Sequence, residues 1–134
     1  MEQLKISDNG HYLVTADGKP FFWLADTAWT IVTRTTPETL DLYLENRAGK
    51  GFNVIQLVSV STWGPTEKNH EGQLPFFDMD VEKPNEQYFK WLDHIVERCE
   101  AFGIYALILP VWGNMVRPGA GCVRTESEGI FSTP

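Results

Sequence analysis

Three apolar runs, at residues 21–25, 52–60 (nearly all apolar) and 104–111, constrain this chain most. A strand with one face in water alternates apolar and polar residues, whereas a run without polar relief suits a strand covered on both faces, as in a parallel sheet. Parallel neighbours need a crossover, and the intervals between these runs carry helix signals. Thr36-Pro37-Glu38 offers a capping hydroxyl, a proline where no N–H is needed and an acid at the positive end of the helix dipole. Leu40, Tyr43, Leu44 and Arg47-Ala48 then recur at helical spacing, with Arg47 along the edge of the face, and Gly51 ends the helix. Asn85-Glu86 opens a second helix whose stripe is Tyr88, Leu92, Ile95, Val96, Cys99 and Phe102, ended by Gly103. The order strand, helix, strand, helix, strand predicts a parallel α/β sheet with right-handed crossovers.

Ahead of this unit the sequence predicts a β-hairpin. Leu4-Lys5-Ile6 and His11-Tyr12-Leu13-Val14 flank the turn Asp8-Asn9-Gly10, and a second turn at Ala16-Asp17-Gly18-Lys19 leads to Pro20. At the other end, residues 115–134 read as an irregular tail closing on Thr133-Pro134, the helix-start pair seen at Thr36-Pro37. The domain proper is therefore placed at 1–114, and a third helix is expected where the chain stops. Cys99 falls on the apolar face of the second helix and Cys122 in the Gly-rich tail; two thiols are the plainer reading, with a disulfide as the alternative.

Charge narrows the partners. The formal net charge is −7 and no Lys/Arg stripe occurs, which disfavours nucleic acid and anionic membranes and suits neutral sugars. No apolar run reaches the roughly 20 residues of a membrane span, and no secretory start follows Met1, so the chain reads as cytoplasmic.

In parallel α/β folds ligands bind beyond the carboxyl ends of the strands. Here those ends carry Asp26 and Trp29 from the first strand, Ser61, Thr62 and Trp63 from the second, and Trp112 and Asn114 from the third. Three of the five tryptophans thus converge on one end. An indole covers the C–H face of a sugar while Asp, Asn and His groups bond its hydroxyls; the plainer alternative for each tryptophan is packing. Asp26 either bonds a substrate hydroxyl or serves a cap or buried hydrogen bond that orders the following loop. His70, in the long connection 61–84, is a second hydroxyl-binding candidate, with simple solvent exposure as its alternative. Asp78-Met79-Asp80 lacks the Gly and distal Glu of a calcium loop and reads as a turn, so no metal site is expected. No nucleophile elbow, zinc-helix, phosphate-loop or dinucleotide motif occurs, and no cofactor is expected.

Several blocks taken together resemble one family. They are Gly18-Lys19-Pro20-Phe21-Phe22-Trp23-Leu24-Ala25-Asp26-Thr27-Ala28-Trp29; Lys50-Gly51-Phe52-Asn53-Val54-Ile55-Gln56; Pro75-Phe76-Phe77-Asp78-Met79-Asp80 with Lys83-Pro84-Asn85-Glu86-Gln87-Tyr88-Phe89; and Gly103-Ile104-Tyr105 with Leu109-Pro110-Val111-Trp112-Gly113. In order and spacing they are similar to the apiosidase-like glycoside hydrolases, from about His11 to Asn114. The resemblance implies a (β/α)₈ catalytic domain that hydrolyses glycosidic bonds in polysaccharide side chains. Such a barrel takes about 250 residues, so this chain of 134 would be its N-terminal βαβαβ portion. The resemblance also implies two catalytic carboxylates on later strands, near the fourth and seventh, and no catalytic residue is carried over here. Asp26, Trp29 and Trp112 match the blocks and would line the pocket. Beyond Asn114 the pattern departs until Ile130-Phe131.

Glycoside hydrolysis needs two carboxyls flanking the bond. The strand ends offer one, Asp26, and the loop acids Glu67 and Glu71 are the candidates for another, although a loop holds geometry poorly. The sequence therefore predicts an enzyme portion inactive alone. The alternatives are a non-catalytic carbohydrate-binding module, or an assembly protein that self-associates through open sheet edges.

Overall fold

The computed structural model describes residues 1–60, 66–113 and 116. Of the tail 115–134, all but Val116 lie outside the described residues. The hairpin forms as expected: β1 (Lys5–Ile6) pairs antiparallel with β2 (Leu13–Val14) in the register Lys5↔Val14 and Ile6↔Leu13. Ser7 fixes its turn by donating to Asn9 Oδ1 (2.8 Å) and accepting the Tyr12 amide (3.1 Å), while Gly10 takes φ +75°.

The main sheet has three parallel strands in chain order: β3 (Ala25–Thr27), β4 (Val54–Val58) and β5 (Tyr105–Leu109). The first strand starts where the sequence reading ended it, at Ala25 rather than Phe21. The reason lies in Asn53. Its Oδ1 accepts the Leu24 amide (2.9 Å) and its Nδ2 donates to the Phe22 carbonyl (2.6 Å), so a side chain replaces the ladder before the strand begins. Phe22 is 77% exposed, and Phe21 packs edge-on against Tyr105 (5.3 Å between centroids) at the amino end of the sheet. The run is continuous because it crosses that end, not because both of its faces are buried.

A single helical turn that the sequence did not announce, α1 (Ile31–Arg34), buries Ile31 and Val32. The longer helix α2 (Pro37–Gly49) is capped at Thr36, whose hydroxyl accepts the Thr39 amide while Thr39 Oγ1 accepts the Thr36 amide (2.8 Å). It ends before Gly51 at φ +83°. The second long helix, α3 (Glu86–Ala101), begins at Asn85, whose Oδ1 accepts the Gln87 amide (3.1 Å). Its buried stripe is Tyr88, Trp91, Ile95 and Cys99. Trp91 belongs to it, whereas Leu92 and Phe102 only pack against its edge. The core joins Leu40 and Leu44 of α2 and this stripe to Ile55 and Leu57 of β4. Cys99 is a free thiol in that core, and burial pushes its pKa up to about 11. Cys122 lies outside the described residues.

By alternation Val54 and Val58 occupy the face opposite Ile55 and Leu57, and they are buried too. The edge strand differs: Leu107 is 38% exposed and Ile108 39%, one on each face of β5. Among the described residues no helix is long and apolar enough to cross a membrane.

Candidate carbohydrate-binding end of the sheet

Beyond the carboxyl ends of β3 and β5 two of the anticipated tryptophans meet. The rings of Trp29 and Trp112 lie 4.8 Å apart between centroids, inclined at 60°. Trp29 is 45% exposed and Trp112 is half-buried, leaning on the Val60–Phe76 apolar group. Each is placed by hydrogen bonds behind it. On the Trp29 side, Ala28 N donates to the Gln56 carbonyl (2.8 Å), and Ile31 N donates back to Ala28 (3.1 Å). Trp91 Nε1 then holds the Val32 carbonyl of α1 (3.0 Å). On the Trp112 side, Ser59 N and Oγ donate to the carbonyls of Leu109 (2.9 Å) and Pro110 (2.5 Å), extending the β4–β5 pairing past the strands. The Tyr88 hydroxyl, its pKa raised by burial, donates to the Ser59 carbonyl (2.9 Å). Both indoles therefore stand on the rigid core.

Asp26 sits differently. It is registered on Ile55, which faces the helices, so its carboxylate turns toward α2 rather than toward the opposite face of the sheet. Oδ1 accepts the Thr27 amide (2.9 Å); Oδ2 accepts the Tyr43 hydroxyl (2.9 Å) and forms an ion pair with Arg47 Nε. The guanidinium in turn packs on the rings of Tyr43 (5.1 Å) and Phe52 (5.6 Å). Partial burial works to raise the Asp26 pKa, but the hydrogen bonds from Tyr43 and Thr27 and the Arg47 charge outweigh it, and the net shift is downward. Burial, then the bond to Asp26, pushes Tyr43 up to about 12. These contacts correspond to the hydrogen-bonding alternative raised for Asp26. Tyr43 and Arg47 reach it because they stand one helical turn apart, a spacing visible in the sequence but without a partner until the register of β3 is known.

A family model described as "Apiosidase-like, catalytic domain" matches residues 7–132. The chain belongs to this apiosidase-like family. Solved structures agree. A glycoside hydrolase is 30% identical, with a TM-score of 0.73 over 84% of this chain and 26% of its own. A family 5 glycoside hydrolase from Bacteroides vulgatus is 29% identical, with a TM-score of 0.72 over 82% of this chain and 24% of its own. A family 5 mannosidase from Rhizomucor miehei, 17% identical with a TM-score of 0.58 over 78% of this chain and 26% of its own, shares the fold. No curated protein shows a significant match. The chain thus spans about a quarter of the length of these structures, and its fold is the hairpin and βαβαβ part of a (β/α)₈ barrel.

In this apiosidase-like chain the remaining candidates separate. Trp63 and Asn114, with Ser61 and Thr62, lie outside the described residues. His70 is exposed and tilts against Trp91 (4.1 Å between centroids, 55°), with His94 stacked on the same indole (5.2 Å). These rings line a groove of about 310 Å³ with Pro37, Gln87 and Lys90, a grouping built on the helices. Its loop is shaped by Asn69, whose Oδ1 accepts the amides of Glu71 (3.1 Å) and Gln73 (2.9 Å). Glu67 takes the Arg34 guanidinium (3.0 Å) and ties the loop to α1. Asp78 and Met79 take φ of 53° and 58° in a turn, and Lys83 Nζ neutralises Asp78 (3.2 Å) and Asp80 (3.7 Å).

Proposed function

We propose that this chain is the opening part of a glycoside hydrolase catalytic domain acting on polysaccharide side chains, and that Trp29 and Trp112 form part of its sugar-binding wall. The observation that carries the reading is the tryptophan pair itself, exposed indole against half-buried indole at the carboxyl ends of two parallel strands. Flat apolar rings there suit the C–H face of a pyranose or furanose. Trp63, Asn114 and His70 remain proposed hydroxyl and stacking partners on the strength of the sequence.

Hydrolysis of a glycoside requires one carboxylic acid to protonate the leaving oxygen and one carboxylate to attack or to activate water. Asp26 is held ionised against Arg47, and Glu67 is engaged with Arg34. The Asp26 arrangement does not suit a proton donor, and the family resemblance puts the catalytic pair on later strands. The isolated chain is therefore expected to show no turnover of aryl glycosides or pectic oligosaccharides above buffer. Robust turnover abolished by Asp26→Asn would overturn this assignment. A second reading, association through the sheet edges, draws on the exposure of Leu107 and Ile108 on the two faces of β5.

A further inference from the structure

The Asp26–Tyr43–Arg47 cluster is more elaborate than a strand end needs. Asp26 is the middle residue of β3, three positions before Trp29. Its Oδ1 fixes the Thr27 amide, and the next amide, Ala28, is fixed by Gln56. The chain therefore leaves the strand along a path set by two consecutive hydrogen bonds, and Trp29 is the next residue on it. Ala28 also packs against the core group that holds Ile31 and Val32. A cleft of about 200 Å³, lined by Ala28, Thr30, Ile31, Arg34, Thr35 and Tyr43, opens beside this turn where it faces Tyr43 of α2. Alongside that cleft the polar contacts of Tyr43 and Arg47 tie α2 to the strand end.

We infer that Asp26, Tyr43 and Arg47 act together as positioning residues that set the angle at which Trp29 meets Trp112. In this arrangement α2, through one carboxylate, orients an aromatic wall at the strand ends. Arg47 is itself steadied by the Tyr43 and Phe52 rings, so the ion pair has a defined direction rather than that of a freely rotating surface pair. The consequence for sugar binding rests on the function proposed above; the geometric claim does not.

Two indoles in van der Waals contact at an oblique angle couple their electronic transitions, giving a paired positive and negative band in circular dichroism. Trp112→Phe defines the signal without the pair. Tyr43→Phe and Asp26→Asn remove one hydrogen bond and one charge while keeping shape. Loss of the couplet in both, toward the Trp112→Phe level, is expected, with helical signal and cooperative melting retained. An unchanged couplet in folded Tyr43→Phe and Asp26→Asn would overturn the inference. Unfolding of Tyr43→Phe would also count against it, because the network would then be a support of the core. The couplet is read without sugar, so it stands or falls separately from glycan binding.

Discussion

At the residue scale the Asp26 carboxylate is a group whose surroundings decide its protonation. Its folded pKa lies below the ordinary carboxylate value of 3.8. A depressed folded pKa contributes stability that is complete above the unfolded pKa and is lost as pH falls through the folded one. Acid titration of stability should therefore weaken the fold below about pH 4, and Asp26→Asn should flatten part of that loss. Melting curves across this range check it; an acid limb identical in the variant would remove Asp26 from the account. Tyr43→Phe at neutral pH should cost about 1 kcal/mol, the scale of one net hydrogen bond. The orientation of Asp26 was hidden in the sequence for a specific reason. Which face a strand residue takes depends on register, and a shift of one residue reverses it. The alignment of Asp26 on Ile55 and its contacts with Tyr43 and Arg47 show that the carboxylate faces the helices.

At the element scale the long helices and the order of the strands were legible because their signals are local. Thr36 and Asn85 cap, Gly51 and Gly103 take positive φ, and β4 is apolar but for Gln56. Thr36→Ala should destabilise by about 1 kcal/mol, read as a lower denaturant midpoint at unchanged slope. What stayed hidden was tertiary. The turn α1 has four residues and no side-chain cap, and tertiary contacts explain its place: buried Ile31 and Val32, the Trp91 bond to Val32 and the Arg34–Glu67 pair. Trp91 was missed from the helix stripe, and the 21–25 run was read as a strand because Asn53 could not be seen replacing its ladder. That Trp29 and Trp112 share one end of the sheet was legible, since strands of one parallel sheet all end on the same side.

At the scale of the whole molecule the open feature is β5, which among the described residues pairs with β4 alone and is part-exposed through Leu107 and Ile108. Apolar edges of this kind favour pairing with another chain. Sedimentation over a range of concentrations should show self-association that Leu107→Lys together with Ile108→Lys reduces; a monomer at every concentration would exclude it. The proposed association at Leu107 and Ile108 and the proposed glycan binding at Trp29 and Trp112 involve different residues, so the double substitution should leave glycan binding intact. The account depends most on the tryptophan end binding carbohydrate. Titration of the chain with pectic oligosaccharides, followed by tryptophan fluorescence and calorimetry, tests this directly. A saturable response lost in Trp29→Ala and in Trp112→Ala is expected. The absence of any saturable response, or one that survives both substitutions, would contradict it.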